Sequence, residues 1–232
     1  MRKEQPDIFT PIEGKALLIF DLDGTLVDSA GQIFEALNQS CLELRLDQIP
    51  NDLFKERLGL PIKTIVADLE LSESDEIVLV DLFRIKLRTQ IENSNVIFEG
   101  VEKFLGMAKL MAYSMAIATS KPTYLAKLVV SKSPLANYID FTQGTEGFPA
   151  KPAPEVILKC LNHFQTKNAV MFGDRIEDVM SANASGIPSI GVAQGHHTIE
   201  NLTDSGASLV FKDFLEIAEK HEQIWELLRK FR

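Results

Sequence analysis

Cysteine is almost absent from this chain, with only Cys41 and Cys160 in 232 residues. So few thiols exclude the disulfide framework that staples small secreted domains, and a reducing cytoplasm is the expected compartment. No apolar run approaches the roughly 20 residues that a bilayer-spanning helix needs. Residues Met1 to Gly14 are polar and mixed in charge, without the apolar centre of a secretory leader. A cytoplasmic protein with no membrane partner is expected. Basic blocks and aromatic–basic interleaving are missing as well, and the formal net charge is −9. Nucleic-acid binding depends on neutralising many phosphates with Lys and Arg, so no nucleic-acid partner is expected. A small anionic ligand is not excluded, because a buried site sets its own field with a metal ion and one or two lysines. Internal repeats and low-complexity tracts are also lacking.

What is present is an ordinary globular composition, 45% apolar and 25% charged, in a length that suits one domain carrying a smaller insert. Lys15 to Phe20 is a nearly uninterrupted apolar run, as in a strand buried on both faces of a parallel sheet. Similar runs recur at 114–118, 168–172, 188–192 and 207–211. Helical spacing separates them. Val101, Phe104, Leu105 and Ala108 share a face, as do Val156, Ile157, Cys160 and Leu161. Pro122 and Pro154 sit where a first helical turn tolerates proline, and Gly186 fits the position just past a helix over 176–185. Strand and helix alternate from residue 98 onward, which predicts an α/β fold with a doubly wound, mainly parallel sheet. Residues 214–232, with the only Trp (Trp225), read as one amphipathic closing helix.

Residues 29–96 break the alternation. Ile33, Phe34, Leu37, Cys41 and Leu44 repeat at helical spacing behind a cap candidate at Asp28 or Ser29. Ile77, Val80, Phe83, Leu87 and Ile91 form a second stripe behind the cap-like Ser72 to Asp75. Short segments near Asn51 and Pro61 lie between. The stripes read as packing surfaces of a helical insert. The expected division is a core of residues 1–28 and 97–232 and a helical cap of residues 29–96.

The first strand runs into Asp21, Leu22, Asp23, Gly24 and Thr25. Ligands of open parallel sheets bind beyond the carboxyl ends of the strands, so Asp21 stands where such folds do chemistry. Asp23, two residues on, points the same way if strand geometry persists. Gly24 permits a tight turn. Two carboxylates this close need a cation or a shared proton, which suggests a metal for one and a raised pKa for the other.

These residues resemble the first motif of the haloacid-dehalogenase-like (HAD) phosphatases. The resemblance implies that Asp21 is the nucleophile and a Mg²⁺ ligand. It implies that Asp23 protonates the leaving oxygen, then deprotonates the attacking water, and binds the metal through its backbone carbonyl. Three further stretches are similar to the family's later motifs, in order. Thr119 and Ser120, at the end of the run 115–118, match the phosphate-holding motif. The family usually has Asn where Ser120 stands, and a helix cap is the structural alternative there. Lys151, with Pro152 and Pro154 around it, matches the lysine that bridges nucleophile and phosphate; taken alone it would read as a surface lysine. Asp174 and Asp178 match the acidic motif after the third of these runs. Asp174 is then a Mg²⁺ ligand and Asp178 a further ligand or a support behind the ligands, with Glu177 the weaker candidate. Gly24 joins Thr119, Ser120 and Lys151 as an implied phosphate-binding residue.

The resemblance extends from about Ala16 to about Phe214 and is greatest to phosphoglycolate-phosphatase-like enzymes with a small helical cap. It implies a Mg²⁺-dependent phosphatase acting on a small phosphorylated metabolite through an aspartyl-phosphate. A sugar phosphomutase of the β-phosphoglucomutase type would share every core motif. A non-catalytic phosphate-binding regulator should have lost a catalytic residue, and none of Asp21, Asp23, Lys151 or Asp174 is lost. A dehalogenase would need neither Asp23 nor the metal. Arg57, Arg84 and Arg88 are the cap cations singled out for substrate contact. Gly59 to Pro61 reads equally as a specificity turn or a plain one. Arg175 is expected to project into solvent, and His196 and His197 to be a loop pair rather than a metal site. His163 and His221 are expected at the surface.

Overall fold

A computed structural model describes residues 16–93 and 96–230. The stretch Met1 to Gly14, Lys15 at the head of the first apolar run, and Phe231 and Arg232 of the expected closing helix lie outside the described residues.

Among the described residues six strands form one sheet: β1 (Leu17–Phe20), β2 (Ser114–Ala118), β3 (Phe141–Gln143), β4 (Ala169–Gly173), β5 (Ser189–Val192) and β6 (Leu209–Phe211). Their order is β3-β2-β1-β4-β5-β6, and every pairing is parallel. Five strands fall on the apolar runs. The edge strand β3 has no counterpart among them, because it is three residues long and two of them, Thr142 and Gln143, are polar. Among the described residues seven α-helices accompany the strands: α5 (Val101–Leu110), α6 (Thr123–Ser131), α7 (Glu155–Phe164), α8 (Ile176–Ala184), α9 (Ile199–Asp204), α10 (Phe214–Glu219) and α11 (His221–Lys230).

β1 explains why the run is apolar throughout. Leu18 and Phe20 face a core shared with Phe104 of α5 and Phe214 of α10, while Leu17 and Ile19 face Val156, Ile157 and Cys160 of α7. Successive strand residues point to opposite faces, so helices on both sides demand apolar residues at every position. Phe20 stacks on Phe172 of β4 with ring centroids 4.7 Å apart. Cys41 and Cys160 are both buried free thiols.

Strand order reverses beside β1, since β2 and β3 lie on one side and β4 to β6 on the other. The register sets Phe20 level with Ile117 and Phe172. Asp21 therefore leaves the sheet in the crevice of the reversal, where ligands of this architecture bind. Its N–H donates to Phe172 O at 2.8 Å.

Between β1 and α5 come α1 (Ala30–Glu43), α2 (Asn51–Arg57), α3 (Ile62–Ile65) and α4 (Glu73–Asn93). α1 packs along α4, burying Ile33, Leu37 and Cys41 of one with Leu79, Phe83, Leu87 and Ile91 of the other. The stripe on α4 thus differs from the one expected. Ile77 is 54% exposed, because it lies about 200° around the helix from Leu79 at 3.6 residues per turn. Ser72 does cap α4, its Oγ accepting from Asp75 N at 3.2 Å. Ser29 precedes α1, but its hydroxyl is spent on Asp23 instead of on the helix. The segments entering and leaving this insert pair with each other: Asp28 N donates to Val96 O at 2.9 Å and Phe98 N to Leu26 O at 3.1 Å.

The closing helix divides. The chain leaves helical geometry at Lys220 (φ −105°, ψ 19°), which ends α10 before α11 begins. That break lets Phe214 and Ile217 reach the sheet while Trp225 stacks on Phe104 with centroids 5.8 Å apart. Among the described residues, no helix is long and apolar enough to cross a membrane.

Candidate active site

Three buried carboxylates gather beyond the ends of β1 and β4, and two of them share one ammonium. Asp21 follows β1, Asp174 follows β4, and Asp178 sits in the first turn of α8, on whose N-terminal dipole a carboxylate is favoured. Lys151 Nζ lies 2.6 Å from Asp21 Oδ1 and 3.1 Å from Ala118 O, and it also donates to Asp178 Oδ1. The other Asp178 oxygen accepts from Arg175 N at 3.2 Å. Lys151 is nearly fully buried, so the surface position that its residue type favours is not the one it occupies.

Asp174 is held just as closely. Thr25 Oγ1 donates to its Oδ1 at 2.8 Å, and His196 N to its Oδ2 at 2.9 Å. His197 N reaches its backbone oxygen at 3.3 Å. The histidine pair thus serves through backbone N–H groups on a loop, as expected of a loop pair. Close approach explains two glycines. A Cβ on Gly24, whose φ is +83°, would stand 2.6 Å from Asp174 Oδ2, and one on Gly195 would overlap the same oxygen. Gly24 is therefore packed beneath Asp174 and is not among the residues lining the cavity.

Asp23 has separate partners. Ser29 Oγ donates to its Oδ1 at 2.5 Å, and Lys121 Nζ lies 2.8 Å from its Oδ2. The crowding of Asp21 and Asp23 is relieved by a lysine for each. Thr119 follows β2 with its hydroxyl accepting from Lys121 N at 3.3 Å, and both it and Ser120 line the cavity. Pro122, not Ser120, precedes the first turn of α6.

The cavity, about 350 Å³, opens above these groups. Its floor includes Asp21, Asp23, Thr119, Lys151 and Asp178, and its roof comes from the insert, including Gly59, Leu60 and Pro61. Of the cap cations, Arg84 is on its wall. Arg57 is turned to Asp68 (3.0 Å) and to Thr64 O (3.2 Å), tying α2 to α3. Arg88 pairs with Glu92 on an exposed face. Arg175 does not project into solvent. It is 7% exposed, pairs with Glu177 at 3.1 Å and donates to Leu58 O in the roof. Glycine at 59 makes this possible, since a Cβ there would meet Arg175 Cδ at 2.7 Å. His163 is exposed and stacked on Phe141, and His221 is half-buried beside Ala218 O.

One oxygen from each of Asp21, Asp174 and Asp178 lies within 4.8 Å of the others. Burial, then the charges of Asp178 and Asp21, push the Asp174 carboxyl up to about 7, against its bonds from Thr25 and His196. Burial also raises Asp178, opposed by Lys151. Burial alone would lower Lys151, but Asp178 and Asp21 outweigh it and hold the ammonium above its ordinary range. Three buried carboxylates balanced by one ammonium are a hard-oxygen donor set short of positive charge, which a divalent cation such as Mg²⁺ fits.

Lys121, Ser29, Thr25 and the His196 N–H have no role in the motif reading. Lys121 carries a sequence signal as a lysine directly behind Thr119 and Ser120, and Thr25 as the last residue of the first motif.

Residues 18–192 match the family model described as haloacid dehalogenase-like hydrolase. A probable phosphatase, IndB, of Dickeya dadantii is 30% identical over 211 residues, covering 88% of this chain and 92% of that protein. A phosphoglycolate phosphatase of Colwellia psychrerythraea is 26% identical over 219 residues, covering 89% and 96%. A crystal structure of a predicted phosphatase from Clostridium acetobutylicum superposes with a TM-score of 0.80 at 28% identity, covering 90% and 99%.

Proposed function

Since the chain belongs to the haloacid dehalogenase-like hydrolases, we propose that it is a phosphatase that cleaves a small phosphomonoester with the help of Mg²⁺, through an aspartyl-phosphate on Asp21. The observation that carries this reading is the contact of Lys151 with Asp21 and Asp178 at the floor of a cavity shared with Thr119. An ammonium so placed offsets the charge that builds up when a carboxylate approaches an anionic phosphoryl group.

In this mechanism Lys151 holds one oxygen of Asp21, and the other attacks phosphorus in line with the leaving oxygen. Lys151 and the Thr119 hydroxyl orient the equatorial phosphoryl oxygens, with Ser120 beside them. Phosphoryl transfer asks a protein chiefly for such alignment and charge stabilisation. Asp23 enters in its protonated form and gives that proton to the leaving oxygen as the P–O bond breaks; the carboxylate so formed is the state that Ser29 and Lys121 hold. The same carboxylate then takes a proton from the water that opens the aspartyl-phosphate. Asp21, Asp174 and the Asp23 carbonyl would hold Mg²⁺, with Asp178 as a further ligand or behind them. Bound there, the ion supplies Lewis-acid neutralisation of the phosphoryl oxygens. Residues 29–96 act as a cap over the core of residues 1–28 and 97–232, excluding bulk water from the phosphoryl group.

The test is Mg²⁺-dependent phosphate release from an aryl phosphate, with EDTA as control. Asp21→Asn should abolish turnover while its circular dichroism and melting stay those of the parent. A variant that keeps the parent's rate overturns the proposal.

A further inference from the structure

Away from the carboxylates the cavity changes character. α2, α3 and the turn between them present Leu58, Leu60, Ile62 and Ile65, and α4 presents Val80 and Phe83. The core closes the opposite side with Leu125 and Phe148. A leaving group that extends from the phosphoryl position meets mostly hydrocarbon.

The cations on the same wall are already engaged. Lys63 pairs with Glu76 at 2.6 Å, Arg84 with Asp81 at 3.3 Å, Lys121 with Asp23 at 2.8 Å and Arg175 with Glu177 at 3.1 Å. Glu177 itself lines the cavity and would repel a second anionic group. Lys121 and Arg175 are buried, so drawing either to a second anion strips Asp23 or Glu177 of its partner. Lys63 and Arg84 sit in exposed pairs that yield at small cost, and against the methyl groups between them a carboxylate or second phosphate loses its water without compensation. An uncharged apolar group gains from the same wall.

Size points the same way. In the measure in which one water takes roughly 10–15 Å³, the 350 Å³ cavity has room for about two to three dozen water-sized groups, well beyond what a phosphoryl group with a glycolate leaving group fills.

We infer that the substrate, on the phosphatase reading above, is the phosphate ester of an uncharged, largely apolar alcohol or phenol larger than glycolate. Leu60 and Val80 are the residues that select it. Both are half-buried on the cavity wall, so polar replacements there spare the core.

The experiment measures kcat/KM for methyl, propyl, hexyl and phenyl phosphate beside phosphoglycolate, with p-nitrophenyl phosphate as a reactive control. Each added methylene should raise kcat/KM about fourfold, the equivalent of about 0.8 kcal/mol, until the cavity is full. Leu60→Asn and Val80→Asn should each reduce the ratio of hexyl to methyl phosphate by about tenfold, mainly through KM. Turnover with phosphoglycolate equal to or above hexyl and phenyl phosphate, or a flat alkyl series, overturns the inference and leaves the phosphatase intact. Failure to turn over any ester, the reactive control included, overturns the phosphatase reading and the inference with it.

Discussion

The Lys121 ammonium lies 2.8 Å from Asp23 Oδ2, so the carboxylate proposed to move protons has a cation of its own rather than a share in Lys151. Ser29 fixes the other oxygen. Asp23 is thus pinned between two donors that approach from opposite sides of the cap junction, one at the head of α1 and one behind β2.

If Asp23 is the general acid, its loss should depend on how much help the leaving oxygen needs. Asp23→Asn is expected to lower kcat/KM by about 10²–10⁴ for esters of basic alcohols, and much less for p-nitrophenyl phosphate. A plot of log kcat/KM against leaving-group pKa should steepen. Lys121→Met, which leaves Asp23 present but unpinned, should reproduce part of that steepening. Parallel lines for parent and Asp23→Asn would remove Asp23 from the role.

Metal binding should be linked to protons. With its carboxyl near pH 7 in the metal-free protein, Asp174 must lose a proton to coordinate. Apparent Mg²⁺ affinity should fall as pH drops below 7, approaching about tenfold per unit for a single proton. The sign for stability follows. A folded-state pKa of about 7 against an ordinary 3.8 means the metal-free native state binds the extra proton, and stability falls as pH rises from about 4 to 7. Mg²⁺ should therefore raise Tm more at pH 8 than at pH 6, as thermal melts can read. Equal rises at both would contradict it.

Gly195→Ala tests how tightly Asp174 is enclosed. The added Cβ overlaps the carboxylate and Gly24 O, so the carboxylate must rotate. A loss of about 10–100-fold in Mg²⁺ affinity is expected, as for other supports of metal ligands, with the metal-free protein destabilised by about 1–3 kcal/mol because Gly24 O cannot rotate away. Calorimetric titration giving the parent's affinity would count against this account of the glycine.

Arg175 ties the base of α8 to the roof through Leu58 O. Arg175→Ala leaves that carbonyl and Glu177 without a partner, a change worth about 1–3 kcal/mol of stability. Amide exchange across residues 58–61 should accelerate. Arg175→Lys keeps the charge but not the planar fork, and should restore only part of the protection. Unchanged exchange in Arg175→Ala would show that the roof is held by its other contacts.

The strand-end aspartates were legible because both the apolar run and the residues after it are local: period, burial and chemistry are written within nine residues of Ala16. The parallel sheet followed from the same kind of signal. Features that depend on pairing across the chain were not legible. β3 exists because β2 offers it an edge, not because Phe141 to Gln143 is strand-like. Ile77 reads as part of the buried stripe because spacing of three and four residues fits two neighbouring registers, and contact with α1 chooses between them. Arg175 looks like a surface arginine until Gly59 and Leu58, more than a hundred positions earlier, come down on it. Lys121 was visible beside Thr119, but only the turn that brings Asp23 and Ser29 together gives it a partner.

The paired segments at Leu26 to Asp28 and Val96 to Phe98 bring both covalent connections of the insert to one place. The rest of its fastening is non-covalent: α4 packs on α6, Arg175 grips Leu58 O, and Ser29 at its head holds Asp23. Asp21, Asp174 and Lys151 stand outside it, so a rebuilt insert that keeps those fastenings would retune which molecules enter and leave the reacting groups as they are.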